Sequence, residues 1–343
     1  MVSFESDYNN GAHPDVLRRL VETNTAGSAS YGFDVWSEQA REKIRTACQQ
    51  PQAAVFFLVG GTQANATVID ALLPSYGAVI AAETAHINVH ESGAVEASGH
   101  KVIALPSHDG RLAAADLCDY LAHFFADPTW EHMAVPRMVY ITFPTELGTL
   151  YTAAEIEAIY QVARQYDMPL FIDGARLGYG LASEACDFDL PWLSRHCDAF
   201  YIGGTKVGAL CGEAVVFPRG EAPRGFFTIV KRHGALLAKS RLAGVQFDAL
   251  FTDNLYLRIS RHAIEMAMRL RDLFIQAGIP IRQSPTNQQF VELSNHQMQQ
   301  LMQQVLFETW APIDNDHTLC RFVTSWATTE SDLQVLATAL QSL

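Results

Sequence analysis

Two residues combine type and position in a way that suggests covalent cofactor chemistry. Asp173 closes the apolar run Met168-Pro-Leu-Phe-Ile-Asp173-Gly-Ala-Arg176, and Lys206 follows another, Asp198-Ala-Phe-Tyr-Ile-Gly-Gly-Thr-Lys206. A fixed carboxylate can keep a pyridine nitrogen protonated, and a lysine amine can hold an aldehyde as a Schiff base. These are the two grips that pyridoxal 5′-phosphate needs. The stretch between them has room for one crossover between neighbouring strands. Both side chains would then emerge on one rim of a parallel sheet, the rim where open α/β sheets bind ligands.

Taken alone, each residue has a plainer reading. A lysine after a strand commonly snorkels at the surface, and an aspartate before glycine commonly caps the next helix. The glycines around Lys206 (Gly203, Gly204, Gly208) let the backbone turn so that the amine can enter a cleft, where burial would lower its pKa. Asp173, at the end of a buried strand, needs a cationic or donor partner. The pairing of the two favours the cofactor.

Other residues fit around that pair. Gly60-Gly61-Thr62 ends one strand-like run and opens a helix, and unpaired amides at a helix start form a phosphate cup. His86, after another run, could stack on the ring or move a proton. His90 stands four residues on, but neither an HExxH order nor a third ligand accompanies the two histidines, so no metal site is expected. Arg176 and Arg321 are candidates for a substrate carboxylate, which a guanidinium binds through two parallel hydrogen bonds. Arg321 interrupts the apolar Leu319-Cys-Arg321-Phe-Val, where an edge strand with a salt-bridged arginine is an equal alternative.

The elements that must hold these residues are legible as alternation. Strand-like runs at 53–59, 79–82, 102–105, 138–142, 170–172, 199–202 and 214–217 alternate with helical stretches, which predicts an α/β fold with a mainly parallel seven-stranded sheet covered on both faces. Residues 153–166, with Ile156, Ile159, Tyr160, Ala163 and Tyr166 on one face, form the crossover before the Asp173 strand. After Phe217 the pattern changes to a basic, glycine-containing stretch, a long helix over 255–276, and two short strands alternating with two helices. The expected division is an N-terminal segment, 1–27, packing with a small α+β C-terminal domain, 251–343, and a large cofactor-binding domain, 28–250.

Composition bounds the partners. A chain of 343 residues with 49% hydrophobic and 18% charged residues is that of a globular enzyme with ample core. A formal charge of −13 argues against nucleic acid or an anionic membrane and favours a small metabolite as substrate. The opening residues lack the basic start and apolar core of a secretory signal, and no run is long enough to span a bilayer, so a cytoplasmic location is expected. The six cysteines show no CxxC spacing and are read as structural thiols.

In their order along the chain, Phe4-Glu-Ser6-Asp7, Tyr31-Gly-Phe-Asp34, Gly60-Gly-Thr-Gln-Ala-Asn65, His86-Ile-Asn-Val-His-Glu91, Asp173-Gly-Ala-Arg176, Thr205-Lys206, Ser240-Arg241 and Arg321-Phe-Val-Thr324 resemble the threonine aldolase and β-eliminating lyase family of fold-type I pyridoxal-phosphate enzymes. The resemblance runs nearly the whole length. It implies that Lys206 binds the cofactor's aldehyde carbon, Asp173 pairs with its ring nitrogen and His86 stacks on the ring. Gly60, Gly61 and Thr62 would hold the phosphate, with Arg241 and Arg232 arriving from a neighbouring subunit. Ser6, Arg176 and Arg321 would take the substrate carboxylate, and Tyr31 would complete the site across the interface of a homodimer or homotetramer. Where many of these aldolases place a second histidine, this chain has Phe143-Pro144-Thr145-Glu146, a variant closer to the low-specificity threonine and phenylserine aldolases. The implied reaction is cleavage of a β-hydroxy-α-amino acid to glycine and an aldehyde. β-Elimination or transamination would use the same aspartate, lysine and arginines, and the product separates them.

Overall fold

Seven short segments rich in β-branched and aromatic residues pair into the central sheet of this computed structural model, which describes residues 1–107, 109–220 and 222–343. They are β1 (Ala54–Leu58), β2 (Gly77–Ala82), β3 (Lys101–Leu105), β4 (Val135–Thr142), β5 (Leu170–Asp173), β6 (Ala199–Gly203) and β7 (Glu213–Phe217), in the spatial order β1-β7-β6-β5-β4-β2-β3. The five strands β2 to β6 pair in parallel, and β7 runs antiparallel to both of its neighbours. The predicted sheet is therefore present. The main boundary difference is β4, which starts at Val135 rather than 138. Pro136 lies in that first part, and the register with β2 shifts just beyond it, because proline has no N–H to give a ladder.

Strand alternation splits the core into two layers. Val139, Ile141, Ile172, Phe200 and Ile202 point to one face and join one apolar cluster. Met138, Tyr140, Phe171, Ala199 and Tyr201 point to the other and join a second. Burial on both faces is why these strands read as continuous apolar runs. The crossover before β5 is the helix Ala153–Gln165, opened by a capping box between Thr152 and Glu155 and buried through Ile156, Ile159, Tyr160 and Ala163.

The C-terminal part holds a four-stranded antiparallel sheet in the order Glu308–Pro312, His317–Val323, Gln288–Ser294, Ile281–Arg282. Its helices are Leu255–Gln276, Asn295–Leu301 and Glu330–Leu340. The sequence pattern predicts only two strands here. The two outer ones escape it because they carry little apolar alternation and are only partly buried. The N-terminal segment also divides its contacts. Val2–Ser3 pairs with Val305–Leu306 and Phe4 enters the core of the small sheet, whereas helix Pro14–Thr23 packs against helix Arg241–Leu250 of the larger part. Among the described residues no helix is long and apolar enough to cross a membrane, and all six cysteines are free.

Two glycines set the geometry at the functional rim. A Cβ on Gly174 would lie 1.9 Å from the Tyr201 carbonyl oxygen, and one on Gly203 would lie 2.2 Å from that of Ala175. The backbones leaving β5 and β6 touch here, with Gly203 N–H donating to the Gly174 carbonyl at 2.9 Å. This contact brings Asp173 and the loop carrying Lys206 to one edge.

Candidate active site

At that edge lies a cleft of about 400 Å³, lined by Asp173, Lys206, His86, Arg176, Arg321, Gly61 and Thr62 among others. Asp173 is 2% exposed. Its Oδ2 accepts from Asn65 Nδ2 (2.9 Å) and Tyr140 Oη (2.6 Å), and its Oδ1 accepts from Tyr201 Oη (2.5 Å) and the amide of Ala175 (2.9 Å). Burial, and then the Asp173 charge, push both phenols well above their ordinary pKa, so they remain donors. A carboxylate clamped in this way cannot turn from a cation presented in the cleft.

Lys206 lies three residues beyond β6 in a loop pinned through its backbone. The amides of Gly204 and Thr205 donate to the Gly212 carbonyl at 3.0 and 3.1 Å. Tyr179 Oη donates to the Lys206 carbonyl at 2.6 Å, and Tyr256 Oη donates to that of Gly203 at 3.0 Å. The amine itself has no hydrogen-bond partner among the described residues. Burial, followed by the neighbouring Arg176 charge, lowers its pKa to about 8. A lysine in this state carries a substantial neutral, nucleophilic fraction near neutral pH. Beside it, burial raises the pKa of Glu213 to about 8, although Thr205 and the Gly204 amide bond to its carboxyl.

The helix that follows β1 starts at Gly61, with Gly60 as its extended N-cap and no side chain capping it. Its first intrahelical bond is from Ala64 N–H to the Gly60 carbonyl, so the preceding amides remain available. A Cβ on Gly61 would stand 3.1 Å from Tyr201 Oη. The bare glycine keeps the cradle open beside the Asp173 network.

His86 begins the short helix after β2. Its Nδ1 lies 2.7 Å from Glu91 Oε1, which also takes Asn65 Nδ2 at 2.7 Å, and its amide donates to Glu146 Oε1 at 2.9 Å. In the neutral imidazole this bond to Glu91 places the ring proton on Nδ1 and leaves Nε2 as an acceptor. Glu146 is buried. Its Oε1 also takes the Thr142 hydroxyl at 2.8 Å, its Oε2 has no partner among the described residues, and burial raises its pKa.

Both expected carboxylate-binding arginines reach the cleft. Arg176 donates through Nε and Nη2 to Asp7 at 2.7 and 3.1 Å. Burial works against ionisation of Asp7, but the Arg176 and Lys206 charges and the hydrogen bonds outweigh it and hold the carboxyl below its ordinary pKa. Arg321 donates to Gln288 Oε1 at 2.9 Å and to Glu308, and lies over the Trp310 ring at 4.8 Å.

Four expected site residues sit elsewhere in this chain. Ser6 donates to Asn9 at 2.7 Å in an adjacent groove. Tyr31, 38% exposed and with φ of 57°, lines an apolar groove with Phe33 and Phe227. Arg232 is ion-paired with Asp70. Arg241 lies over the Trp36 ring at 4.1 Å and donates to the carbonyls of Thr23 and Ala26. Conversely, the sequence reading gives no role to Asn65, Tyr140, Tyr201, Glu91, Asp7 or Glu308. Asn65 and Glu91 offer a signal, as polar residues at the ends of motifs that otherwise carry the chemistry.

The residues fit pyridoxal phosphate. The cleft offers a clamped carboxylate, an amine with no hydrogen-bond partner among the described residues, and helix-start amides at Gly61 and Thr62 that suit a phosphate. A model of the β-eliminating lyase family matches residues 4–323. The chain belongs to the β-eliminating lyase family. This member is similar to the low specificity L-threonine aldolase of Pseudomonas aeruginosa, at 32% identity over 277 residues that cover 79% of this chain and 77% of that one. It is 29% identical over 349 residues to the low specificity L-threonine aldolase of another Pseudomonas strain, covering 99% and 97% of the two chains. Among solved structures, the threonine aldolase of Leishmania major matches with a TM-score of 0.96 at 36% identity, covering 100% of this chain and 99% of that one. The β-eliminating lyase family comprises pyridoxal-phosphate-dependent lyases, and this chain has their fold type I.

Proposed function

We propose that this chain cleaves a β-hydroxy-α-amino acid of the threonine, allo-threonine or phenylserine type to glycine and an aldehyde. The observation that carries the reading is the single cleft in which Asp173, Lys206, His86 and two guanidiniums converge. Pyridoxal phosphate held there between Asp173 and Lys206 supplies a conjugated ring that accepts the electron pair of the breaking Cα–Cβ bond. Asp173 keeps the ring nitrogen cationic. Arg321, with the Nη1 end of Arg176 that the Asp7 pair leaves free, would hold the substrate carboxylate and so orient the bond to be broken. Lys206, with a pKa near 8, can take up and release a proton close to the reacting carbons.

The β-hydroxyl must lose its proton as the bond breaks. His86 Nε2 is the first candidate acceptor, because Glu91 fixes the other ring nitrogen. Glu146, with one buried oxygen unpartnered, is the second. We expect His86→Asn to lower turnover by about 10² to 10⁴ while the cofactor's absorbance is retained. Unchanged turnover in that variant would remove His86 from the role and leave it to Glu146.

The assembly proposed with this function is a homodimer or homotetramer in which Tyr31, Arg232 and Arg241 serve a neighbouring cleft. The support is that all three lie away from the chain's own cleft, and that Phe33 (72% exposed) and Phe227 (42% exposed) present an apolar face beside Tyr31. A species that sediments as a monomer and still turns over would contradict it. The reaction itself is tested by incubating the holoenzyme with threonine, allo-threonine and phenylserine and assaying glycine together with aldehyde. Equimolar release from at least one is expected. Pyruvate or another oxo acid in place of glycine would point to elimination or transamination.

A further inference from the structure

The two guanidiniums of the cleft each already hold a carboxylate of the chain, but in different ways. Arg176 and Asp7 form a complete side-on pair through Nε and Nη2. Asp7 is 3% exposed and also bound by Asn287 Nδ2 at 2.9 Å, so it has nowhere else to go. Arg321 is only half served. Its Nη1 donates to Gln288 and its Nη2 to Glu308, while its Nε is buried without a partner among the described residues. The side chain of Glu308 is 39% exposed. It sits on the outer strand of the small sheet, just before a register irregularity at Thr309 and Ala311. The Trp310 ring below and Gln288 at the far corner hold the guanidinium plane independently of Glu308.

A carboxylate that approaches Arg321 side-on can take Nε and Nη2 together, which Glu308 does not. We propose that Glu308 is a displaceable internal stand-in for the substrate carboxylate, and that an amino acid binds by exchanging its own carboxylate for that of Glu308 on Arg321. The inference rests on the amino-acid reading of the cleft given above. Exchange of one anion for another leaves the charge on Arg321 balanced, and the half-exposed Glu308 side chain can swing to water. A ligand without a carboxylate cannot make the exchange, so the contact raises selectivity above what an unoccupied arginine would give. It also lowers apparent affinity, because only the fraction of molecules with a free fork is competent to bind.

The test uses holoenzyme and two readouts: KM for whichever of the three amino acids is cleaved, and the dissociation constant of propanoate followed through the cofactor absorbance. Glu308→Gln removes the competing charge at nearly constant volume, and Glu308→Ala removes the side chain beyond Cβ. With the fork free in about a tenth to a third of wild-type molecules, both constants should fall by about three- to tenfold in both variants. The gain should appear in KM rather than in kcat. Unchanged or raised constants in Glu308→Gln overturn the proposal, since they would mean that Glu308 does not compete or itself binds substrate. Retention of the cofactor band and of the melting temperature shows that the effect is local. Should wild type release glycine from none of the amino acids, the functional reading fails, while the propanoate comparison still decides the role of Glu308.

Discussion

Lys206→Ala should purify folded and colourless and should lose turnover by roughly 10⁴-fold or more, the scale on which removal of a covalent anchor acts. The loop does not depend on the side chain for its shape. Its amides bond to Gly212, and its carbonyls bond to Tyr179 and Tyr256. The amine has no hydrogen bond to lose, so thermal stability should change little. Absorbance near the visible edge and glycine release, measured on one preparation, check the expectation. A variant that keeps both the band and a tenth of the wild-type rate would show that another amine anchors the cofactor.

Asp173→Asn should separate colour from activity. The Lys206 amine remains to hold the cofactor, so the band is expected to persist. The fixed negative charge opposite the ring nitrogen is gone, and loss of one such preorganised electrostatic contact lowers rate by roughly 10² to 10³. The substitution also disturbs the network. Four donors converge on two carboxylate oxygens, and an amide nitrogen in place of one of them faces two donors with nothing to accept. Each buried donor left unpaired costs about 1 to 3 kcal/mol. The urea midpoint should therefore fall together with the rate. Wild-type stability and rate in the Asp173→Asn variant would remove Asp173 from both roles.

How much of this is legible without the structure follows from the range of the interactions. Asp173 and Lys206 are visible because one ends a buried strand and the other follows one within three residues, and local pattern reports burial well. The candidate phosphate cup at Gly61 and Thr62 is visible for the same reason, as a strand-to-helix turn. What holds Asp173 is not. Tyr140 and Tyr201 reach it across strand pairings whose register only the folded sheet fixes, and Asn65 comes from a helix 108 positions earlier in the chain. The same holds for Asp7 on Arg176, a pair separated by 169 positions. In apolar strands such as β4 and β6 a tyrosine reads as core, and its hydroxyl gives no sign in sequence of the acceptor it will find.

The small domain shows the opposite limit. Helix Leu255–Gln276 is predicted with its observed ends because its apolar residues recur over six turns. Strand Glu308–Pro312 is missed because only its pairing with His317–Val323, and no alternation of its own, makes it a strand. That strand carries Glu308 and Trp310, so the residues that dress Arg321 go unseen along with it.

The central claim is that Lys206 alone anchors a pyridoxal-phosphate group opposite Asp173. Borohydride reduction of the purified holoenzyme, followed by proteolysis and peptide mass mapping, tests it most directly, because reduction makes the link between amine and cofactor permanent. The phosphopyridoxyl mass should appear on the peptide containing Lys206 and on no other. The same mass on a different lysine, or on none, would contradict the account.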